Sequence, residues 1–307
     1  MGERLRPLTE QLPKPMVPVF HRPLITYAFD HLLKAGVEEL VVNTHHLPEA
    51  YARAFPEGRY HGAPVRFRHE SPVRLETAGG IANVRDLLGE EPFLVYNGDI
   101  LTDLPLERLV RAHREQGNLV TLALRSSGPA LHVALDRETG RLRDIRNLLG
   151  SGHEGEFLFT GVYACEPEFH SWLTPGKVES VIPVLLRMIR EGAPLGGVIV
   201  DEGQWWDLGN RVTYLEAHQR LMELANEFPA YGNGIRAWPV ADGARLEAGV
   251  ELVGVNLLGE GAVIGAGARL ENCIVWPAGQ VAAGARLREC IVRGGVTAAG
   301  ECAGKDF

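Results

Sequence analysis

The sequence predicts an α/β fold with a mainly parallel sheet flanked by helices, followed by a short β-helix. Two observations carry this prediction. Through residue 227, short apolar runs alternate with stretches of helical periodicity, the pattern of strands joined by helical crossovers. Beyond the turn-rich segment FPAYGNG, which begins at Phe228, the chain repeats itself. The expected division is therefore 1–227, a linker over 228–240, and repeats over 241–307.

The elements follow in order. Residues 23–36 place Leu24, Ile25, Ala28, Phe29, Leu32 and Leu33 at helical spacing, with Pro23 suited to a first turn and Gly36 to an end. EELVVNT is the next strand, and VRFRH (65–69) another. IANVRDLLG (81–89) reads as a helix, FLVYNGD (93–99) as a buried strand, LERLVRAHREQG (106–117) as a helix and LVTLALR (119–125) as a strand. In the repeat region, Gly267-Ala268-Arg269-Leu270 leads to Cys273-Ile274-Val275. The pattern returns at Gly284-Ala285-Arg286-Leu287 and Cys290-Ile291-Val292, with a weaker copy at Gly243-Ala244-Arg245-Leu246. Short strands turning at small residues stack into coils that bury their aliphatics only against neighbouring coils. About three coils are expected, the low end for such a stack.

Composition narrows the function. The net charge of −8 argues against general affinity for nucleic acid or an anionic membrane, so any anion site must be local. The basic residues are mostly arginine; lysine occurs only at 14, 34, 177 and 305. No apolar run is long enough to span a bilayer, and the first residues lack the apolar core of a secretion signal. Cys165, Cys273, Cys290 and Cys302 show no paired spacing and read as small core residues in a reducing cytoplasm. His45-His46 lack a third ligand at metal spacing and read as loop or surface residues.

Ligands in α/β folds gather beyond the carboxyl ends of the strands. Four stretches there carry chemistry. MGERLRPLTEQLPKPM offers Gly2, Arg4, Arg6, Thr9 and Lys14: glycine admits backbone amides to phosphate oxygens, and the cations supply charge. By itself the stretch equally fits a solvated basic segment. Asn97-Gly98-Asp99 ends a buried strand, where a carboxylate can hold Mg²⁺ bound to phosphates; a turn aspartate is the alternative. Asp207, in WWDLG, sits among large apolar residues and needs a partner or a metal. Glu76-Thr77-Ala78-Gly79-Gly80-Ile81 opens a helix with small residues, which suits a flat base or a phosphate; an ordinary capped helix is the alternative.

Together these stretches resemble the sugar-1-phosphate nucleotidyltransferases, the NDP-sugar pyrophosphorylases. GERLRPLTEQLPKPMVPV resembles their signature G-x-G-x-R-L-x-P-L-T followed by P-K-P. LETAGGI, YNGD and WWDLG fall in the family's order. The resemblance implies a Rossmann-like mixed sheet and a left-handed β-helix. It also implies an enzyme in which a phosphate oxygen of a sugar 1-phosphate attacks the α-phosphate of a nucleoside triphosphate and pyrophosphate leaves. By this resemblance Arg4, Lys14, Asp99 and Asp207 are catalytic, with Asp99 and Asp207 binding Mg²⁺. Gly2, Glu3, Arg4, Lys14, Gly79 and Gly80 contact the nucleotide. Glu76, Asn97, Gly98, Thr160, Gly161 and Arg146 face the sugar phosphate.

The chain departs from the family pattern twice. Relatives carry a lysine between the acidic motifs; here the region reads GRLRDIRNLLG, leaving Arg143 or Arg146 in its place. The family also begins with an apolar strand and a glycine-rich turn, of which only the last glycine stands here. The expectation is a start upstream of Met1; without it, the sheet has an unfilled slot. The sugar reads first as mannose with GTP, with glucose, heptose or N-acetylmuramate phosphates as alternatives. A catalytically weak regulatory homologue is the competing class. The last histidine, His218, precedes the repeats. The β-helix therefore lacks an acyltransferase base and reads as an oligomerisation element, predicting a homo-oligomer.

Overall fold

A computed structural model describes residues 5–153, 155–223 and 239–307. The described elements run β1 (Pro18–Val19), β2 (Arg22–Pro23), α1 (Ile25–Lys34), β3 (Leu40–Thr44), α2 (Pro48–Ala54), β4 (Arg59–Tyr60) and β5 (Ala63–His69). Next come α3 (Glu76–Asn83), α4 (Arg85–Leu88), β6 (Phe93–Tyr96), β7 (Ile100–Thr102), α5 (Leu106–Gln116), β8 (Val120–Arg125), β9 (Val133–Leu135) and β10 (Leu142–Ile145). β11 (Leu158–Cys165), α6 (Val181–Arg190), β12 (Leu195–Ile199), β13 (Trp205–Asp207) and α7 (Arg211–Glu223) complete the region before the coils. The chain divides into two compact units, 28–205 and 1–27 with 206–307.

The first unit holds a mixed sheet in the order β12-β8-β11-β6 and a second in the order β3-β5-β4. β12 runs parallel to β8, β3 parallel to β5, and β11 antiparallel to both β8 and β6. The alternation read from sequence therefore yields a mixed sheet, because β11 enters against its neighbours. Val120, Leu122 and Leu124 of β8 belong to one core cluster with Val184, Leu185 and Met188 of α6, all fully buried. Ser180 caps α6 by accepting from the Ile182 amide, satisfying one of the free donors at its start. The helix expected over 81–89 is two pieces: α3 begins five residues earlier, and α4 follows after Val84, whose backbone leaves helical geometry. Among the described residues β3 pairs only with β5 and β6 only with β11.

In the second unit the repeats form three all-parallel sheets, two of four strands and one of three, the faces of a β-helix. Arg269 stands opposite Arg286, Ile274 opposite Ile291, and Val263 opposite Gln280. Two sheets have four strands because the segment Thr297–Ala303 adds a last coil that lacks the Gly-Ala-Arg-Leu signature. Leu258, Ile264, Leu270, Cys273, Cys290 and Val292 fill the interior with no measurable exposure beyond 1%. A Cβ on Gly265 would meet the Ala283 amide nitrogen at 2.5 Å, so glycine is what lets successive coils stack at this corner. Pro239 and Val240 already join the first coil, through the Leu258 amide and a parallel bridge. Residues 228–238 of the expected linker lie outside the described residues. Cys165, Cys273 and Cys290 are buried free thiols, and Cys302 is partly exposed. No helix among the described residues is long and apolar enough to cross a membrane.

Candidate functional site

In the first unit, polar groups collect after the carboxyl ends of β3, β5 and β6, and the β6 turn meets the amino-terminal part of the antiparallel β11 at Gly161. The turn after β6 is fixed from both sides: the Asn97 amide donates to Gly161 O at 3.0 Å, and the Ile100 amide to Asn97 O at 3.1 Å. Gly161 has φ +80, and a Cβ there would stand 2.7 Å from Asn97 Nδ2. Only glycine lets β11 pass this close to the Asn97 side chain. Gly98 and Asp99 complete the turn and are half-buried. Thr160 is fully buried; its hydroxyl donates to Ala123 O at 2.8 Å and accepts from the Val162 amide. Its carbonyl accepts from Trp205 Nε1 at 2.9 Å. Thr160 thus shapes β11 through its side chain and offers a ligand at most its surroundings.

The start of α3 shows why the sequence holds two glycines there. The Ala78 and Gly79 amides donate to Glu179 O at 2.9 and 3.2 Å. Thr77 Oγ1 accepts from the Val181 amide at 2.7 Å, and the Glu179 amide donates to Leu75 O at 3.0 Å. A Cβ on Gly79 would lie 2.2 Å from Lys177 O. The helix start expected to be open to a phosphate is thus closed by the chain's own 177–181 segment. Gly80 faces the other way: its carbonyl accepts from Asn43 Nδ2 at 2.7 Å, and a Cβ would come within 3.0 Å of Glu70 Oε1. Glu76 has φ +62 and pairs with Arg74 at 2.6 Å.

Three residues absent from the sequence-derived set belong here. Asn43 is the next-to-last residue of β3, Glu70 follows β5 and is 5% exposed, and the Glu179 carbonyl holds α3. Glu70 Oε2 accepts the Leu75 amide at 2.8 Å, which fixes the entry to α3. The available signal was positional: a polar residue at the carboxyl end of an apolar strand. Arg143 and Arg146 of GRLRDIRNLLG bond to other partners. Arg143 pairs with Asp136 at 2.5 Å on the β9–β10 hairpin, which holds the Asp136 carboxyl down at about 2. Arg146 is exposed, with φ 57, and its amide donates to His132 O.

In the second unit, Lys14 begins a short 3₁₀ turn, Lys14–Met16, between Pro13 and Pro15. Its Nζ lies 3.5 Å from Asp207 Oδ1, which joins the two ends of this unit's discontinuous sequence. The Asp207 side chain is 41% exposed, yet its Oδ1 is buried with no hydrogen bond. The two values agree if the exposure belongs to Oδ2, so the inner oxygen faces the ammonium and the outer one faces solvent. Lys14 itself is 17% exposed. Leu5 and Leu8, at 1% and 0% exposure, anchor the segment ahead of it. Gly2, Glu3 and Arg4 lie outside the described residues.

These features are those of an α/β enzyme: polar groups on tight turns after strands, and a lysine paired with a carboxylate. The profile of the nucleotidyl transferase family matches residues 1–223. The chain belongs to the nucleotidyl transferase family. It is 29% identical over 279 residues to a mannose-1-phosphate guanylyltransferase of Mycobacterium tuberculosis, covering 90% of this chain and 77% of the relative. It is 26% identical over 312 residues to a UTP–glucose-1-phosphate uridylyltransferase of Synechocystis, covering 90% and 80%. It is 33% identical over 218 residues to an N-acetylmuramate α-1-phosphate uridylyltransferase of Neisseria meningitidis, covering 70% and 92%.

Proposed function

We propose that the protein transfers a nucleoside monophosphate from a nucleoside triphosphate to a sugar 1-phosphate, and that the pair is GTP and mannose 1-phosphate. The observation that carries the reading is the Lys14–Asp207 pair, a buried-facing cation and a carboxylate oxygen without a hydrogen bond, in a chain whose family performs nucleotidyl transfer. In the reaction a phosphate oxygen of the sugar 1-phosphate attacks the α-phosphorus. The new O–P bond forms as the bond to the β-phosphate oxygen breaks, and pyrophosphate carries away the electron pair. Such a displacement needs no covalent enzyme intermediate; positioning and charge stabilisation suffice.

Lys14 holds the triphosphate and the charge that develops on it; Gly2, Glu3 and Arg4, which precede it in sequence, would contact the nucleotide. Asp99 and Asp207 would hold Mg²⁺, which when bound neutralises phosphate charge. Mg²⁺ binds through one or two carboxylates plus substrate phosphates, so a cage of three protein ligands is not required. Among the described residues no group of three His, Cys, Asp or Glu side chains is placed to hold a metal ion, and an orphaned carboxylate oxygen on Asp207 fits the smaller donor set. Glu76, Asn97, Gly98 and Gly161 are the proposed contacts to the sugar phosphate; Gly79 and Gly80 pack against the chain's own atoms, Thr160 is fully buried and Arg146 lies on the exposed turn after β10, so these four are not assigned to the ligand.

The mannose assignment is supported by the extent of the match: the mycobacterial relative aligns over 90% of this chain, the N-acetylmuramate relative over 70%. The Synechocystis glucose enzyme matches as much of the chain at lower identity, so glucose 1-phosphate with UTP is the second pair to try. The test is a grid of triphosphates and sugar 1-phosphates with Mg²⁺, read as nucleotide-sugar by anion-exchange chromatography. GDP-mannose as the fastest product is expected; a different fastest product would replace the substrate assignment, and no product from any pair would remove the activity. We also propose that the first coil forms a homo-oligomer contact, since Leu246 and Leu252 are 42% and 38% exposed. Changing both to glutamate should lower the mass seen by light scattering; an unchanged mass would refute that contact.

A further inference from the structure

We propose that Arg293 of the β-helix is a positioning residue for nucleotidyl transfer, holding the turn that carries Lys14. The proposal rests on the reading of Lys14 as a triphosphate ligand. Arg293 Nη1 donates to Pro7 O at 3.0 Å, a contact across 286 residues, and lies 3.2 Å from Glu10 Oε2. On its other side, Nε donates to Phe307 O at 2.8 Å. The guanidinium thus bridges the last coil to the loop near the start of the chain. Beside it, Gln11 Nε2 donates to Gly294 O at 3.2 Å. The Arg293 side chain is only 16% exposed, so these contacts are largely shielded from water.

The loop transmits what Arg293 fixes. Leu8–Glu10 forms a 3₁₀ turn closed by the Glu10 amide on Pro7 O, the same carbonyl that Arg293 holds. Four residues later Lys14 sits between Pro13 and Pro15, whose rings fix φ and leave the backbone few ways to absorb a shift. The partner of Lys14 is tied to the same place. Asp207 leads into α7, whose Arg211 Nε donates to Asp306 Oδ1 at 2.7 Å, and whose Nη2 bonds Glu289 O. Lys14 and Asp207 are therefore each anchored, through one arginine, to the segment Asp306–Phe307. A planar guanidinium with several donors can make these simultaneous contacts; an ammonium cannot reach both sides.

The test compares the full chain with Arg293→Ala and Arg293→Lys in two measurements. Without substrate, an amine-reactive ester is applied and the four lysines are read by mass spectrometry. Arg293→Ala should raise labelling of Lys14 several-fold while Lys34 and Lys177 stay unchanged. In turnover, Arg293→Ala should lower kcat/KM for the triphosphate by about tenfold or more, as expected for a displaced phosphate ligand. The KM for the sugar phosphate should stay within about twofold. Arg293→Lys, which keeps the charge near Glu10, should recover part of the loss. Unchanged Lys14 labelling overturns the proposal. So does a uniform rise in all four lysines with equal losses for both substrates, which marks simple unfolding. If the unmodified chain turns over no substrate pair, the assigned activity fails; selective labelling of Lys14 would still support the clamp itself.

Discussion

The β-helix and the strands β3 and β6 are made of similar aliphatic residues and bury them to different degrees. Leu270, Leu287 and Val292 are 0–2% exposed, and each inner coil is paired on both edges. Val41 and Val42 in β3, and all four residues of β6, are only half-buried, and each strand is paired on one edge among the described residues. The difference lies in neighbours more than in composition. A parallel strand reads as continuously apolar because it expects cover on both faces and partners on both edges. Where one edge lacks a partner, backbone donors and acceptors and part of the side chains stay open to water. The β-helix should therefore be the stiffer region and the β3 and β6 edges the softer one.

The harshest way to break this comparison is a charge inside the coils. Leu270→Asp places a carboxylate in a site with no polar partner and should cost more than about 4 kcal/mol, read by chemical denaturation. A cost below that of a surface change would mean the coils are not a packed core. Acid gives the next largest effect and should separate the regions. His31 donates through Nε2 to Leu104 O beside β6, and burial pulls its pKa down to about 4; burial does the same to His218 in α7. The unfolded histidines take protons near pH 6.5, the folded ones only near pH 4. Between these values the unfolded chain binds more protons. Stability is thus full above about pH 6.5 and falls as pH drops toward 4, by about 3 kcal/mol for each group.

The coils contain no histidine. Hydrogen exchange at pH 5 should therefore show α1, β6 and α7 opening while residues 257–292 stay protected. Equal loss of protection in both regions would contradict this. The smallest effect is Val42→Ala, on a half-buried side chain, expected at about 1 kcal/mol. A cost matching that of a coil leucine would show that β3 is as well covered as the coils.

Much of this was legible in the sequence. The alternation of strands and helices and the repeat containing Cys273 and Cys290 rest on local periodicity, which the chain carries in full. Lys14 and Asp207 were legible as separate candidates, one by the rarity of lysine and the other by its apolar setting. The closure of α3 by Glu179 was not legible, because a carbonyl from about a hundred residues away leaves no mark on the pattern of ETAGGI. The clamp by Arg293 was hidden for the same reason: arginine is common in this chain, and only folding brings this one to Pro7. The repeat region was placed at 241–307, but its last coil could not be counted from the pattern, because Thr297 and Glu301 pair in register without the Gly-Ala-Arg-Leu signature.

Lys14 and Asp207 are expected to serve phosphate chemistry directly. The direct measurement is pyrophosphate release from GTP and mannose 1-phosphate with Mg²⁺, comparing the full chain with Lys14→Ala and Asp207→Asn. Release should require both substrates, and each substitution should lower kcat by about a hundredfold or more while the fold, read by circular dichroism, is retained. Release that persists undiminished in both variants would contradict the account.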